Sequence, residues 1–502
     1  MPSASPASAA PAQVHARGPA LLQVVAAGAL FTVAAAYQAR HLSALTNDAI
    51  WWHLRTGLWM LQTHSIPRTG LSSQASSLPW IDASWAFDLL SAFAHRLFGL
   101  AGLPVLLMLL QVATAVALFV LALDSSRKFW LAVVLAAVAQ CCIVPLQLRP
   151  ALCSIAFLGV ELALLLRARR TGEVRALYWL PLVFLLWVNL GRQFSYGLVV
   201  LALFCLAVMI EQLGRQSGWM WLEAPARPIR LSKVGAIAAA SFLATFISPY
   251  TWHLHALVWQ SATNSAADRY FRELHSMRFR QPQEYLLMLL AMTAFFALGR
   301  RRSRDLFLIS LLIVSAVISF RLVRDNWLVV VVSVAIIGEA LGYEAANALP
   351  KRTSRWSRVE KLSTAALVLL VIFAIALRLP TKMVLLSKVS QNFPVRASDY
   401  IRQSHLPQPM FNTYEWGGFL TWYLPEYPVS IDSRIDLYGD ALNIAYFKLM
   451  LAEVPLESDP SFARARTFLL EAGSPMAQAL STLPGFRVAY QDTQAIVLVR
   501  RD

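Results

Sequence analysis

Long apolar runs alternate with short polar or basic stretches along most of the chain, a pattern that predicts a bundle of membrane-spanning helices. A bilayer core about 30 Å thick needs roughly 20 apolar residues in a helix. About eleven runs approach that length, near residues 19–38, 101–122, 129–145, 151–166, 177–189, 194–212, 233–248, 284–299, 305–320, 326–343 and 362–379. The expected fold is therefore a polytopic α-helical membrane protein, with residues 19–380 as its transmembrane domain.

The polar segment 39–100, between the first two runs, has a pattern of its own. Apolar residues recur at helical spacing from Ile50 to Gln62, and Thr46 or Asn47 can cap the start of that helix. A second amphipathic stretch runs from Trp85 to Phe98 and ends at a glycine. Because tryptophan prefers the level of the lipid headgroups, we expect two interfacial helices on the outer leaflet.

The two ends of the chain differ from the rest. Residues 1–18, rich in Ala, Pro and Ser, predict a disordered tail. In residues 381–502, apolar runs shorten and charge density rises, which predicts a small α/β domain outside the membrane. The expected strands are 410–412, 429–433, 466–470, 486–490 and 495–499, with helices at 396–404, 415–423, 442–452 and 475–480. Residues 491–494 carry a hairpin signal between the last two strands.

Composition supports the membrane class and suggests an orientation. Of the 502 residues, 57% are hydrophobic and 14% charged. The net charge is +16, and its lysines and arginines collect on every second loop. This bias predicts a cytoplasmic N-terminus, with the segment 39–100 and the C-terminal domain outside. The charge is thus explained by topology and contact with anionic lipids, without nucleic-acid binding. The four cysteines lie in predicted spans and lack metal spacing, so no disulfide framework is expected.

Asp48 is the strongest candidate for chemistry, because it opens the first long polar segment directly after the first apolar run. A position at a helix start favours the ionised carboxylate and lowers its pKa, whereas burial by nearby tryptophans would raise the pKa. Asp48 could equally be an ordinary helix-start acid. At 3.6 residues per turn, Trp52 and Arg55 share its face of the helix and His53 does not, so a local Asp–His pair is not expected.

Two further groups of polar residues are candidates for binding. Arginines at the predicted outer ends of spans could hold a lipid phosphate by charge-assisted hydrogen bonds; they are Arg149, Arg192, Arg321 and Arg324. Arg324 could alternatively pair with Asp325. In the C-terminal domain, acids and an arginine near a glycine pair are typical of an α/β crevice; they are Glu415, Asp432, Arg434 and Asp436. Ion pairing between Arg434 and either aspartate is an equal alternative.

Three blocks of sequence resemble a known group of proteins. They are NDAIWWHLRTGLWMLQTHSIPRTG (47–70), PWIDASWAFDLL (79–90) and FNTYEWGGFLTWYLPEYPVSIDSRIDLYGD (411–440). These blocks are similar to bacterial polytopic proteins of the GT-C glycosyltransferase superfamily. That group is distantly related to the dolichyl-phosphate-mannose protein mannosyltransferases and to the lipopolysaccharide-modifying transferases.

The resemblance implies transfer of a sugar from a polyprenyl-phosphate carrier to a glycan, lipid or protein acceptor outside the bacterial inner membrane, with Asp48 as the catalytic carboxylate. The residues implied in substrate binding are Trp52, His53, Arg55, Asp82, Trp85, Glu415, Asp432, Arg434 and Asp436. Many superfamily members carry two adjacent acids where this chain has Asn47 and Asp48. A related Asn-Leu-His-Gly-Gly pattern reads Asn-Leu-Gly-Arg-Gln at 189–193, without the histidine.

No nucleotide-binding glycine pattern is present, and no cofactor is called for. A divalent cation remains possible. Two other classes of function stay open at this point. The chain could be a membrane scaffold or degenerate transferase whose C-terminal domain binds a partner. A transporter is disfavoured because ionisable residues cluster at span ends rather than at the midplane.

Overall fold

The structure is a computed structural model that describes residues 21–143, 147–218, 229–263, 268–348, 358–378 and 381–501. The predicted disordered tail, residues 1–18, lies outside the described residues. The helices of the first part are α1 (Leu21–His41), α2 (Ala49–Thr63), α3 (Trp85–Phe98), α4 (Gly102–Ser126), α5 (Phe129–Cys142), α6 (Ala151–Thr171), α7 (Leu180–Leu190), α8 (Phe194–Gln216), α9 (Leu231–Ala244), α10 (Trp252–Thr263), α11 (Pro282–Arg300), α12 (Leu306–Arg321), α13 (Trp327–Ala348) and α14 (Arg358–Leu377).

Several of these helices are long and apolar enough to cross a bilayer, so the chain is a multi-pass membrane protein. Within the described residues, five stretches qualify: Trp85–Ser126, Ala151–Thr171, Phe194–Gln216, Pro282–Arg300 and Val323–Gly342. A bent pair in 361–390 would make a sixth, and five further apolar helices are shorter. Every predicted span coincides with a helix, whereas the count of eleven crossings stays a prediction.

Helix α13 runs through the centre of the bundle. Its residues from Trp327 to Ile337 are all buried, including Ser333. A helix that is apolar on every face is stable only when other helices surround it. Accordingly, α13 packs against α4, α5, α6, α11 and α12.

Each membrane-spanning helix has one end nearer to α2 and one end farther from it, and basic residues lie at the farther ends. Near the end of α6, Arg169 pairs with Glu211 and with Asp305, both at 2.8 Å. The neighbouring Arg170 pairs with Asp124 and Glu339. Buried charges of this kind are stable when each is paired and hydrogen-bonded. These ion pairs join α4, α6, α8, α13 and the start of α12.

The segment between α1 and α4 forms the predicted helices α2 and α3, which pack against each other. The side chain of Asn47 caps α2 by accepting a hydrogen bond from the backbone N–H of Ala49 at 3.0 Å. Helix α3 ends at Gly99, whose φ of 59° lies in the left-handed region that favours glycine. Gly57 lets the helices approach closely, since a Cβ there would lie 2.0 Å from the carbonyl oxygen of Asp88.

The last 121 or so residues form a mixed α/β unit that packs on this outer segment. Its elements are α15 (Lys382–Ser390), α16 (Val395–Gln403), β1 (Met410–Asn412), α17 (Tyr414–Tyr423), α18 (Ile435–Met450), α19 (Pro460–Arg464), β2 (Thr467–Glu471), α20 (Pro475–Thr482), β3 (Phe486–Gln491) and β4 (Ala495–Arg500). The strand order is β1-β2-β4-β3; β1 pairs with β2 in parallel, and the other pairs are antiparallel. Its own core includes Phe411, Phe462 and Phe468, and Trp80 of the outer segment joins that core.

One predicted strand is wrong. Residues 429–433 form no strand, although Val429 makes an isolated bridge with Ser73. The backbone N–H of Val429 donates to the carbonyl oxygen of Ser72 at 3.1 Å, and its own carbonyl accepts from the N–H of Gln74 at 2.9 Å. The alternation of apolar and polar residues at 429–433 reflects pairing with the loop of the outer segment. Residues 429–433 therefore run between that loop and α17 and do not join the sheet.

Candidate functional site

A cavity of about 620 Å³ opens where the outer segment, the beginnings of α6 and α8, and the C-terminal domain meet. Ten of the residues singled out in the sequence lie on its wall: Asp48, Trp52, His53, Asp82, Arg149, Arg192, Arg324, Glu415, Arg434 and Asp436. Helices α6, α8 and α13 all begin near the cavity and run away from it toward the basic ion pairs. The cavity and the basic ends therefore lie at opposite ends of these three helices.

The other four candidates lie off this wall. Asp432 lies behind it, paired with Arg434. Arg55 donates from Nε to Ser72 Oγ at 3.3 Å, and Trp85 donates from Nε1 to Asn189 Oδ1 at 2.9 Å. Arg321 ends α12 and is exposed. These geometries favour structural roles for Arg55 and Trp85.

Asp48 immediately precedes α2 but does not cap it. Its carboxylate points instead to the C-terminal domain, where Oδ2 accepts from Ser433 Oγ at 2.7 Å and Oδ1 accepts from the backbone N–H of Phe419 at 3.1 Å. Because Asn47 caps the helix, the side chain of Asp48 is free to make these contacts. Asp48 thus joins two parts of the chain at the cavity wall.

Burial raises the pKa of Asp48 to about 8, and the nearby charge of Asp432 adds to the increase. The hydrogen bonds from Ser433 and from the backbone of Phe419 act in the opposite direction. The sequence left two opposing effects on the pKa of Asp48, the position at a helix start and burial. Burial is the larger of the two. A carboxyl group with a pKa near neutrality can exchange protons with a substrate at physiological pH.

Arg149, Arg192 and Arg324 converge on the cavity from three different helix junctions. Arg149 donates to Glu273 at 2.5 Å, and Arg192 donates to Asp436 at 2.6 Å. The Nε of Arg324 lies 3.6 Å from Asp325, so the ion pair considered from the sequence is present. Among the described residues, the Nε atoms of Arg149 and Arg324 are buried without a hydrogen-bond partner. Both guanidinium groups line the cavity, where their positive charge is suited to an anionic oxygen.

Glu273, which was not among the residues predicted from the sequence, lies among these arginines on the cavity wall. Burial raises the pKa of Glu273, but the charges of Arg149 and Arg324 outweigh burial and hold it below its usual value. The acid is therefore ionised at neutral pH and balances part of the positive charge. Its position in the loop before α11, far from the sequence blocks, gave no signal of this contact.

His53 faces an acidic partner that reasoning on a single helix could not identify. Its Nδ1 lies 2.6 Å from Oδ1 of Asp88 on α3, and both side chains are buried. Burial, together with the charges of Arg149 and Arg434, lowers the pKa of His53 well below its usual value. Beside this pair, burial raises the pKa of Asp82 to about 6. A neutral histidine and Asp82 thus line one side of the cavity, and Asp88 is buried off its wall.

Arg434 and Asp432 form a buried ion pair, as one of the sequence-based alternatives proposed. Arg434 donates to Asp432 through Nη2 at 2.5 Å and through Nε at 2.9 Å, and its Nη2 also donates to the carbonyl of Leu71. Tyr438 donates to the same carboxylate at 3.0 Å. This network fixes the chain on both sides of Ser433.

Aromatic rings form another part of the wall that the sequence did not indicate. Tyr270 and Phe447 stack with ring centroids 5.4 Å apart, and Phe271 lies 5.7 Å from Tyr414. These rings come from the segment before α11 and from the C-terminal domain. The same two regions are joined by the ring contact between Phe271 and Phe447 at 5.2 Å.

Across the residues the structure describes, no three or more His, Cys, Asp or Glu side chains are grouped so that they could hold a metal ion. Asp48, whose oxygens accept from Ser433 and from a backbone N–H, has no second acid placed beside it as a ligand.

Comparison with known proteins finds likeness in structure. No protein-family model and no curated protein matches the chain. An oligosaccharyltransferase of Archaeoglobus fulgidus, solved with Zn and sulfate, is 12% identical with a TM-score of 0.50 over 95% of this chain and 73% of that one. ArnT from Cupriavidus metallidurans is 13% identical over 95% of this chain and 97% of its own; its TM-score is 0.48 bound to undecaprenyl phosphate and 0.43 in the apo state.

At this level of identity the likeness concerns the fold alone. It shows that this chain shares the overall fold of the archaeal oligosaccharyltransferase. The chemistry of this chain has to be argued from its own cavity.

Proposed function

We propose that this protein is a membrane glycosyltransferase that moves a sugar from a polyprenyl-phosphate donor to an extracytoplasmic acceptor. The observation that carries the proposal is the placement of the Asp48 carboxyl group on the same cavity wall as Arg149, Arg192 and Arg324. A proton acceptor and a set of phosphate-binding groups are the two requirements of this reaction. The GT-C fold supports the same reading.

In the proposed reaction, Asp48 accepts the proton of an acceptor hydroxyl. The hydroxyl oxygen attacks the anomeric carbon of the donor sugar and forms the new glycosidic bond. The bond between that carbon and the phosphate oxygen breaks, and the lipid phosphate leaves with the bonding electrons. No oxidant, reductant or nucleotide is required for this exchange.

The arginines would stabilise the charge that grows on the departing phosphate. Arg149 and Arg324 line the cavity and are the proposed donors for this role. In a site shielded from water, such preorganised donors contribute strongly to transition-state stabilisation. Arg192 pairs with Asp436 through Nη1, and a guanidinium has further N–H donors that can bind an anion.

The location follows from the same geometry. The cavity lies at the opposite ends of α6, α8 and α13 from the basic ion pairs, and basic ends are typical of the cytoplasmic side. We therefore place the cavity and the C-terminal domain outside a bacterial cytoplasmic membrane, with the N-terminus inside. The donor lipid would lie between spans beside the cavity.

The test compares wild type with Asp48→Asn in membranes of matched expression. A panel of radiolabelled polyprenyl-phosphate sugars serves as the donor, and transfer to endogenous acceptors or to water is measured. We expect wild type to release lipid phosphate and the variant to lose that activity. The control is Asp399→Asn, which changes a half-exposed acid of α16. Equal turnover by wild type and Asp48→Asn would remove Asp48 from the mechanism.

A further inference from the structure

The C-terminal domain supplies the contacts that hold the Asp48 side chain. Ser433 Oγ lies 2.7 Å from Oδ2, and the backbone nitrogen of Phe419 lies 3.1 Å from Oδ1. Each carboxylate oxygen therefore accepts one hydrogen bond from this domain. Since a carboxylate oxygen has two lone pairs, each can still accept a second hydrogen bond.

Trp52 determines which way the Ser433 hydroxyl points. Its indole Nε1 lies 3.2 Å from Ser433 Oγ, and an indole N–H can only donate. Ser433 therefore accepts from Trp52 and has its own proton left for Asp48. The result is a directed chain of two hydrogen bonds, from Trp52 to Ser433 and from Ser433 to Asp48.

The backbone around Ser433 is held in place on both sides. Its neighbours Asp432 and Arg434 form the buried ion pair, and the backbone N–H of Arg434 donates to Asp432 Oδ1 at 2.9 Å. Tyr438 donates to the same aspartate and is hydrogen-bonded to Ser73 of the outer segment. A hydroxyl on such a rigid backbone is suited to orienting a reactive group.

Helix α17 approaches Asp48 too closely for any side chain at the contact point. A Cβ on Gly418 would lie 2.5 Å from the backbone oxygen of Asp48 and 2.7 Å from its Oδ1. A Cβ on Gly417 would lie 2.1 Å from the carbonyl oxygen of Ile431. The glycine pair thus allows the N–H of Phe419 to reach the carboxylate.

From this geometry we infer that Ser433, directed by Trp52, is a positioning residue for the catalytic carboxylate, so that the C-terminal domain completes the active site. The inference rests on the proposed function in one respect, namely that Asp48 is the catalytic carboxylate. The contact itself is a property of the structure and can be tested without a known donor. Ser433 acts through its hydrogen bond to Asp48, and its proposed role needs no contact with substrate.

Removal of the Ser433 hydroxyl should make Asp48 harder to ionise. Burial raises the pKa of Asp48, and the hydrogen bond from Ser433 is the largest opposing influence. Loss of a hydrogen bond to a charged group changes the pKa of that group by about one to two units. The ionisable residues nearest to Asp48 on the elements packed against it include His53, Tyr414, Glu415, Asp432 and Arg434, and all of them are retained in the variants.

The experiment measures protonation of Asp48 directly. Purified full-length protein is treated with dicyclohexylcarbodiimide, which reacts with protonated carboxyl groups, between pH 6 and 10.5. Mass spectrometry of the peptide containing Asp48 then gives the pH at which labelling is half-maximal. We expect a midpoint near pH 8 for wild type and a rise of about one to two units for Ser433→Ala.

Two further variants separate positioning from loss of fold. Ser433→Thr retains the hydroxyl and should keep the midpoint of wild type, whereas Trp52→Phe should raise it by less than Ser433→Ala does. Ser481→Ala, at an exposed position of α20, is the matched control and should behave as wild type. A midpoint that is the same in wild type and Ser433→Ala would overturn the inference.

Transferase assays on the same proteins distinguish the two proposals. If wild type transfers no sugar from any donor but Ser433→Ala still shifts the labelling midpoint, the proposed function fails and the positioning of Asp48 stands. If wild type is active and the midpoint does not move, the function stands and the role of Ser433 is refuted. When both hold, Ser433→Ala should lower kcat/KM most strongly at acid pH and approach wild type above pH 9.

Discussion

The acid strength of Asp48 leads to a quantitative prediction about pH. Burial raises the pKa of this carboxyl group to about 8, and the proposed mechanism needs the ionised form. At pH 7, a group with a pKa of about 8 is roughly one-tenth ionised. The active fraction should therefore increase about tenfold between pH 6 and pH 7 and level off above pH 8.

The measurement is kcat/KM for transfer from the best donor of the polyprenyl-phosphate panel, from pH 6 to 9.5 at constant ionic strength. A glycosyl phosphodiester does not titrate in this range, so the profile reports on the protein. An aspartate with an ordinary pKa would give a flat profile over the same range. The Asp399→Asn control should show the profile of wild type.

The result that would refute the reasoning is a rate that is constant, or that rises, as the pH falls from 8 to 6. A constant rate would mean that Asp48 is ionised throughout and that its burial has little effect on its pKa. A rate rising toward acid pH would mean that the protonated form is the active one. In either case the assignment of Asp48 as a base with a raised pKa is wrong.

Three other predictions follow from the contacts around the cavity. Arg149→Gln should lower kcat/KM by about a hundredfold to a thousandfold because it removes a hydrogen-bond donor to the phosphate. Arg321→Gln, at an exposed position off the wall, should have no effect in the same assay. Asp48→Asn should be more stable than wild type at pH 9, as measured by thermal unfolding in detergent. Because the pKa of Asp48 is raised in the folded state, wild type loses stability as the pH rises to about 8. The difference in stability between the two proteins should vanish near pH 4. Asp432→Asn leaves a buried guanidinium without its counter-charge and should cost about 3–5 kcal/mol, seen as a lower unfolding temperature, while Asp399→Asn at a solvent-exposed ion pair should cost about 1 kcal/mol or less.

The sequence predicted the helices well because their signals are local. Apolar runs identify the spans, and the period of 3.6 residues locates α2 and α3 to within about a residue. The gathering of Arg149, Arg192 and Arg324 was also foreseeable, since span ends on the same side of a bilayer must lie at similar depth. Their acidic partner Glu273 was not, because it lies outside any recognisable pattern.

Contacts between distant parts of the chain were beyond reach from one sequence. Asp48 is separated from Phe419 by 371 positions and from Ser433 by 385. The pairing of His53 with Asp88 depends on how α2 and α3 cross, which a helical wheel for α2 alone cannot show. The error at 429–433 has the same origin, since alternation looks alike whether a segment pairs within a sheet or with a loop.

The reach of Asp48 to Ser433 also has a consequence for how the protein is made. A ribosome completes the first outer segment long before it reaches the C-terminal domain, and domains fold in the order of synthesis. Until that domain has crossed the membrane and docked, Asp48 lacks the burial and the hydrogen bonds described above and should be an ordinary surface acid. If the proposed function holds, unfinished chains in the membrane would therefore be inactive, and the protein would acquire its reactive carboxyl group only at the end of its own assembly.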